Sequence, residues 1–174
     1  MPVFSVARAG RSQEGYLENL ITSMYSEETA IYRMGYGVCG IDADMIINSF
    51  YSVQNTFGKN KPIKVHYMEI YIEKEFGIET TLRIADLFGR YICGQGFQCY
   101  TSTLDSNEYY LIVVAVNAVS YINGRAFHDN NLQYVNICDF LKSIMPEDWQ
   151  TEIADNTFFN LEDGTNNYVH GKLM

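Results

Sequence analysis

The sequence predicts an α+β domain in which an antiparallel sheet of about four to five strands carries helices mainly on one face. Apolar residues recur at helical spacing in four segments. Short runs rich in β-branched and aromatic residues lie between those segments, and two of the runs are joined by turn residues. With 174 residues, 47% of them hydrophobic, the chain can bury one core. We therefore assign residues 1–154 to a single domain and residues 155–174 to an acidic C-terminal tail.

The four predicted helices follow from end signals and apolar stripes. Ser12 and Asp42 can cap the first two, Gly58 supplies a stop after the second, and Thr80 or Thr81 opens the third. The stripes are Leu17, Leu20, Ile21 and Met24; Ile46, Phe50, Val53 and Phe57; Leu82, Ala85, Phe88, Tyr91 and Ile92; and Leu132, Val135, Phe140, Leu141 and Ile144.

The predicted strands include one hairpin. Asp105-Ser106-Asn107 supplies turn chemistry between the runs 97–104 and 109–116. Because the second of these runs is apolar on both faces, we expect it to be central and covered on both sides, by helices or by a partner. Further strands are predicted at 3–6 and 63–72, and residues 30–38 form a strand or a loop.

The charge balance argues against nucleic acid as a partner. Twelve basic and 21 acidic residues give a net charge of -9. Since nucleic-acid affinity comes largely from phosphates neutralised by Lys and Arg, this charge repels DNA unless a local patch overrides it. The only basic groupings are small: Arg8 with Arg11, and Lys59 with Lys61 and Lys64.

The chain has the features of a cytoplasmic protein. No apolar run approaches the roughly 20 residues that span a bilayer, so no membrane association is expected. The first residues lack the basic-then-apolar order of a signal peptide. Cys39, Cys93, Cys99 and Cys138 have no paired spacing and are expected to be reduced thiols.

A family resemblance is carried by segments whose order matches across residues 11–144. The apolar strand 109–117 is followed by Ala118-Val119-Ser120-Tyr121-Ile122-Asn123-Gly124-Arg125-Ala126-Phe127-His128-Asp129. This run resembles the segment after the metal-binding strand of relaxases, the mobilization nucleases that nick DNA for plasmid transfer. Further matching pieces are Gly35-Tyr36-Gly37-Val38-Cys39, Phe57-Gly58-Lys59 and Val65-His66-Tyr67-Met68.

The resemblance implies a metal site that these residues cannot form. In relaxases, histidines at alternate strand positions face one way and converge on a divalent metal. The corresponding residues here are Tyr109, Leu111 and Val113, and a slip of one residue offers Glu108, Tyr110 and Ile112. Since Leu and Val cannot bind a metal, we expect neither a metal nor another cofactor. The resulting apolar and aromatic face suits a protein partner or, more simply, an extension of the core.

The resemblance also places the nucleophilic tyrosine of the family near Tyr25. The alternative is a tyrosine that packs its ring and leaves its hydroxyl in water. His66, in the middle of a strand, is interpreted as a structural histidine. A nucleophilic pair of Cys99 with His66 on adjacent strands is a further alternative, although nothing in the sequence indicates an activated thiol.

These observations predict a degenerate relaxase-like domain that is catalytically inactive. Its expected role is accessory or interactive in the mobilization of a plasmid or mobile element, through a protein partner or self-association. One alternative is an active metal-dependent relaxase that nicks DNA with a tyrosine nucleophile. A second is a small-molecule or peptide-binding domain with an apolar-aromatic cleft beside Tyr109.

Overall fold

The computed structural model describes residues 3–7, 10–146, 158–160 and 168–172. Helices and strands alternate irregularly along the chain. In order they are β1 (Val3–Ala7), α1 (Tyr16–Ser26), β2 (Ala30–Tyr36), α2 (Ala43–Thr56), β3 (Val65–Glu73), a 3-10 turn (Lys74–Phe76), α3 (Ile78–Gly94), β4 (Cys99–Asp105), β5 (Tyr109–Asn117), α4 (Asn131–Ile144), β6 (Phe158–Asn160) and β7 (Tyr168–Lys172).

The strands form one antiparallel sheet in the order β2-β4-β5-β3-β1-β7-β6. The predicted α+β class is confirmed, with β2, β4, β5, β3 and β1 making a five-stranded sheet that the short β7 and β6 extend. The predicted hairpin is β4–β5, in which Thr101 lies opposite Val114. Strand β5 is the middle one of the five, as its apolar sequence predicts.

The helices cover both faces of the sheet, whereas the sequence placed them mainly on one. Helices α1 and α2 pack on the face that carries Val113 and Ala115. Helices α3 and α4 pack on the opposite face, with Ile112 and Val114. Successive residues of β5 point to opposite faces, and both sets are apolar, so each face requires its own pair of helices.

The ends of the helices follow local chemistry. The carboxylate of Asp42 accepts a hydrogen bond from the amide of Met45 at 2.8 Å, which confirms it as the N-cap of α2. Helix α1 begins at Tyr16 after Gly15, rather than at Ser12. Gly15 has a φ of 77°, so the chain turns in the left-handed region immediately before the helix and Ser12 stays in the preceding loop.

Helix α3 fixes the edge strand β2 through a close contact at Gly89. A Cβ at this position would lie 2.1 Å from the ring of Tyr36, so only glycine permits the ring to approach the helix. The hydroxyl of Tyr36 donates to Asp86 of the same helix at 3.0 Å. Burial, followed by this contact with Asp86, raises the pKa of Tyr36 well above its usual range.

Two strands fall within the region assigned to the C-terminal tail. Strand β7 pairs antiparallel with β1, and β6 pairs with β7. The assigned boundary between residues 154 and 155 lies outside the described residues, as does Trp149. Among the helices of the described part, none combines the length and the apolar character needed to cross a bilayer.

Candidate functional site

Helix α1 covers the face of β5 that carries the predicted cleft residues. Val113 is only 3% exposed and belongs to a core cluster with Leu17, Ile21 and Met24 of α1. Leu111 packs against the same cluster. Tyr109 lies at the start of the strand, with its ring 5.1 Å from that of Tyr71 in an edge-to-face arrangement. The structure therefore brings these three residues together on a face that is filled at Val113 and partly open at Tyr109.

A carboxylate flanked by tyrosines lies beside this face on β3. Glu69 is opposite Val113 in the sheet, and its two oxygens accept hydrogen bonds from Tyr67 at 2.9 Å and from Tyr71 at 2.7 Å. Burial, with the charge of Glu69 second, raises the pKa of Tyr67 well above its usual range. The carboxylate thus acts as an acceptor for two protonated phenols.

The side chains of this face do not fit the metal that the resemblance implies. Leu111 and Val113 offer only hydrocarbon, and the nearby carboxylate of Glu69 already accepts from two tyrosines. Within the described ranges, no three His, Cys, Asp or Glu side chains converge closely enough to hold a metal ion. The one-residue slip changes nothing, because Ile112 faces α3 and α4 on the other side of the sheet.

Tyr25 lies near the C-terminal end of α1, in a groove separate from the Tyr109 face. The groove has a volume of about 430 Å³ and lies between α1, β2 and the loop before α2. Tyr25 is 40% exposed, and the guanidinium carbon of Arg33 lies 6.0 Å from the centre of its ring. Tyr100 and Ile41 also line the groove.

The groove contains a buried polar group that the sequence analysis missed. Tyr100 is 3% exposed, and its hydroxyl is buried without a hydrogen-bond partner in the described structure. Burial raises its pKa, the charge of Arg33 opposes that rise, and Tyr25 adds to it. The Tyr100 hydroxyl is therefore within electrostatic reach of both. Strand alternation could have placed Tyr100 on the α1 face, but no sequence signal pairs it with Arg33.

Asn117, the last residue of β5, lies in a buried network of side-chain amides. Asn117 donates to Phe50 O at 3.1 Å and to Gln98 Oε1 at 2.8 Å. Its own side-chain oxygen accepts from Gln54 at 2.9 Å and from the amide of Val119 at 3.2 Å. These bonds join β5, α2 and the residue before β4, so Asn117 has a structural role in this chain.

The structure separates the Cys99–His66 pair. Both residues lie opposite Val116, but on different sides of it, because β5 runs between β4 and β3. The expectation of adjacent strands was therefore wrong. Burial raises the pKa of the Cys99 thiol, which keeps it protonated. His66 is 3% exposed, with its ring 4.9 Å from that of Phe127 and its Nδ1 3.4 Å from Arg11.

His128 is exposed in the loop before α4. Asp42 caps α2, and Asp44 follows it in the first turn.

No family model matches the chain, and comparisons with curated proteins and with solved structures gave no significant match.

Proposed function

We propose that this chain is a relaxase-like domain without nuclease activity that serves as an accessory or interaction module in plasmid or mobile-element mobilization. The observation that carries this proposal is the apolar, helix-covered surface at Leu111 and Val113. A phosphodiester and its metal need an open polar face there, and the burial of Val113 against α1 leaves no such space.

The surroundings of Tyr25 further support a role without nicking. A tyrosine nucleophile needs a base or a metal to remove its proton. The groove around Tyr25 offers Arg33 and the protonated phenol of Tyr100, neither of which can act as a base. The net charge of -9 also disfavours accumulation of DNA at the surface.

The direct test is a nicking assay with the purified chain. Labelled single-stranded DNA would be incubated with protein and manganese, then analysed for cleavage and for a covalent adduct on a denaturing gel. We expect neither product, and we expect fluorescence anisotropy to show no binding that manganese strengthens. Metal-dependent cleavage would overturn the proposal, and an adduct that disappears in Tyr25→Phe would establish the alternative of an active relaxase.

A further inference from the structure

The groove between α1 and β2 contains polar groups whose hydrogen-bonding capacity is not used. Two hydroxyls and one guanidinium meet there: Tyr25, Tyr100 and Arg33. The hydroxyl of Tyr100 is buried and makes no hydrogen bond within the described residues. A buried hydroxyl without a hydrogen-bond partner costs free energy. A ligand atom that accepts a hydrogen bond from this hydroxyl is therefore favoured at this point.

The guanidinium of Arg33 supplies the charge of the groove. It donates to the main-chain oxygens of Met24, at 3.3 Å, and Glu27, which fixes it at the end of α1. These two bonds use two of its five N–H groups. Arg33 forms no ion pair with a carboxylate in the part of the chain that the structure describes. After the hydrogen bonds from Thr29, the charge of Arg33 also helps to lower the pKa of the Glu27 carboxylate, so Glu27 shares this charge. The remaining N–H donors of Arg33 are available to an anion.

One cation selects a singly charged anion rather than a polyanion. Nucleic acid requires several Lys or Arg residues to neutralise successive phosphates. Here the acidic Glu27 and Glu28 follow directly after α1, and Arg33 is the only cation among the residues that line the groove in the described structure. A carboxylate matches this arrangement, because its two oxygens can accept from Arg33 and from the Tyr100 hydroxyl together.

The groove adjoins a sheet edge that can accept another strand. Strand β2 is the last strand on its side of the sheet, and among the described residues only β4 pairs with it. Apolar side chains stand exposed on β2 and in the loop that follows it: Ile31 and Met34 of β2 are each 41% exposed, and Ile41 of the loop is 87% exposed. An unpaired edge with exposed apolar side chains is a template for an extended peptide.

We propose that this groove binds the carboxylate of an aspartate or glutamate side chain carried by an extended protein segment that pairs with the free edge of β2. The inference rests on the proposed role as an interaction module and names the chemistry of its partner. Side chains of an added strand alternate between the two faces of the sheet. A residue of that strand on the α1 face would reach Arg33 and Tyr100, while its backbone bonds to β2.

The test uses two synthetic peptides, each with nine residues flanked by one lysine at either end. Threonine and valine alternate along the nine residues, and the central residue is glutamate in one peptide and glutamine in the other. Binding to the full chain would be measured by fluorescence anisotropy, and amide NMR shifts would locate the peptide. We expect the glutamate peptide to bind about tenfold more tightly than the glutamine peptide, since hydrogen bonds to a charged group are stronger. The shifts should concentrate in residues 30–36.

The decisive variant is Tyr100→Phe, which removes one hydroxyl that bonds to nothing in the described structure and so leaves the fold intact. It should weaken binding of the glutamate peptide about fivefold and binding of the glutamine peptide by less, because a neutral amide oxygen accepts a weaker hydrogen bond than a carboxylate does. Tyr32→Phe, on the other face of β2, is the matched control and should change neither. Arg33→Gln should weaken binding further, but because Arg33 also holds the end of α1, thermal unfolding would be measured in parallel.

Several outcomes would overturn the inference: no binding of either peptide, equal binding of both, or a Tyr100→Phe variant that binds as the wild type does. Binding of single-stranded DNA that Tyr100→Phe abolishes would assign the groove to nucleic acid instead. Failure here is separate from failure of the proposed function. The peptide experiment does not measure nicking, and the nicking assay does not measure peptide binding.

Discussion

The side-chain amides of Gln54 and Asn117 are hydrogen-bonded to each other inside the protein, with a separation of 2.9 Å between Nε2 and Oδ1. Gln54 is 1% exposed and Asn117 is 0% exposed. Gln54 also donates to Lys64 O at 2.9 Å, immediately before β3. This contact therefore ties α2 to the end of β5 and to the start of β3, where an apolar pair could not satisfy the same main-chain groups.

Asn117→Ala should lower the free energy of unfolding by about 3 kcal/mol, because it leaves several buried partners without a hydrogen bond. Urea denaturation followed by circular dichroism would measure this loss. Asn48→Ala, at an exposed position of α2, is the control and should stay within about 0.5 kcal/mol of the wild type. An Asn117→Ala protein as stable as the wild type would show that the network contributes little.

Val113→His should destabilise the protein rather than rebuild a metal site. Val113 is 3% exposed beneath α1, so the larger polar ring must displace packed side chains, at a cost of about 3 kcal/mol. The same denaturation experiment, with and without manganese, measures the effect. Glu108→His, in the exposed turn before β5, should be near neutral. Stabilisation of Val113→His by manganese would mean that this face can open to a metal.

The contribution of Asp86 to stability should depend on pH. A hydrogen bond from Arg90 at 2.8 Å, opposed by burial and assisted by Tyr36, lowers the pKa of Asp86 below its ordinary value of 3.8. A lowered folded-state pKa stabilises the protein above the unfolded pKa, and that stabilisation is lost as the pH falls through the folded value. The difference in unfolding free energy between wild type and Asp86→Asn should thus be constant near neutral pH and shrink below the ordinary pKa.

Urea titrations of both proteins between about pH 2.5 and pH 7 would measure this difference. Glu14→Gln, in the exposed loop before α1, provides the control and should give a small difference at every pH. A difference in unfolding free energy between wild type and Asp86→Asn that stays constant to the lowest pH would contradict the lowered pKa of Asp86.

Three of the four cysteines should differ sharply in reactivity. Cys39 is exposed, whereas Cys99 and Cys138 are buried. Burial raises the pKa of Cys138 to about 12 and that of Cys99 well above its ordinary value. Since the thiolate is the reactive form, iodoacetamide at about pH 8 should label Cys39 in the folded protein and should label Cys99 and Cys138 only after denaturation. Peptide mass spectrometry would locate the label, and rapid labelling of Cys99 without denaturant would contradict the described burial.

Much of the fold follows from local patterns. The apolar sequence of β5 predicts a central strand covered on both sides, and the turn residues after Leu104 predict the β4–β5 hairpin. Asp42 caps α2 because its carboxylate lies within reach of the Met45 amide, a relation inside one turn of chain. The start of α1 was missed because the positive φ of Gly15, rather than a capping side chain, sets it.

The site was less accessible to sequence reasoning. The resemblance drew attention to Tyr25, Leu111 and Val113, and these residues do lie in α1 and in the strand beneath it. The polar groups of the groove, Arg33 and Tyr100, do not belong to any sequence motif. Their juxtaposition depends on the pairing of β2 with β4 and on the position of the end of α1, which are contacts between distant parts of the chain.

The sequence by itself determined the α+β class, the antiparallel hairpin and the purely hydrocarbon side chains at Leu111 and Val113, because strand alternation and side-chain chemistry are local properties. Only the tertiary structure decided that helices cover both faces, that β5 separates Cys99 from His66, and that Tyr100 meets Arg33 in a groove. These relationships arise from strand order and helix packing, in which burial of apolar surface between distant segments selects one arrangement among those that local patterns allow.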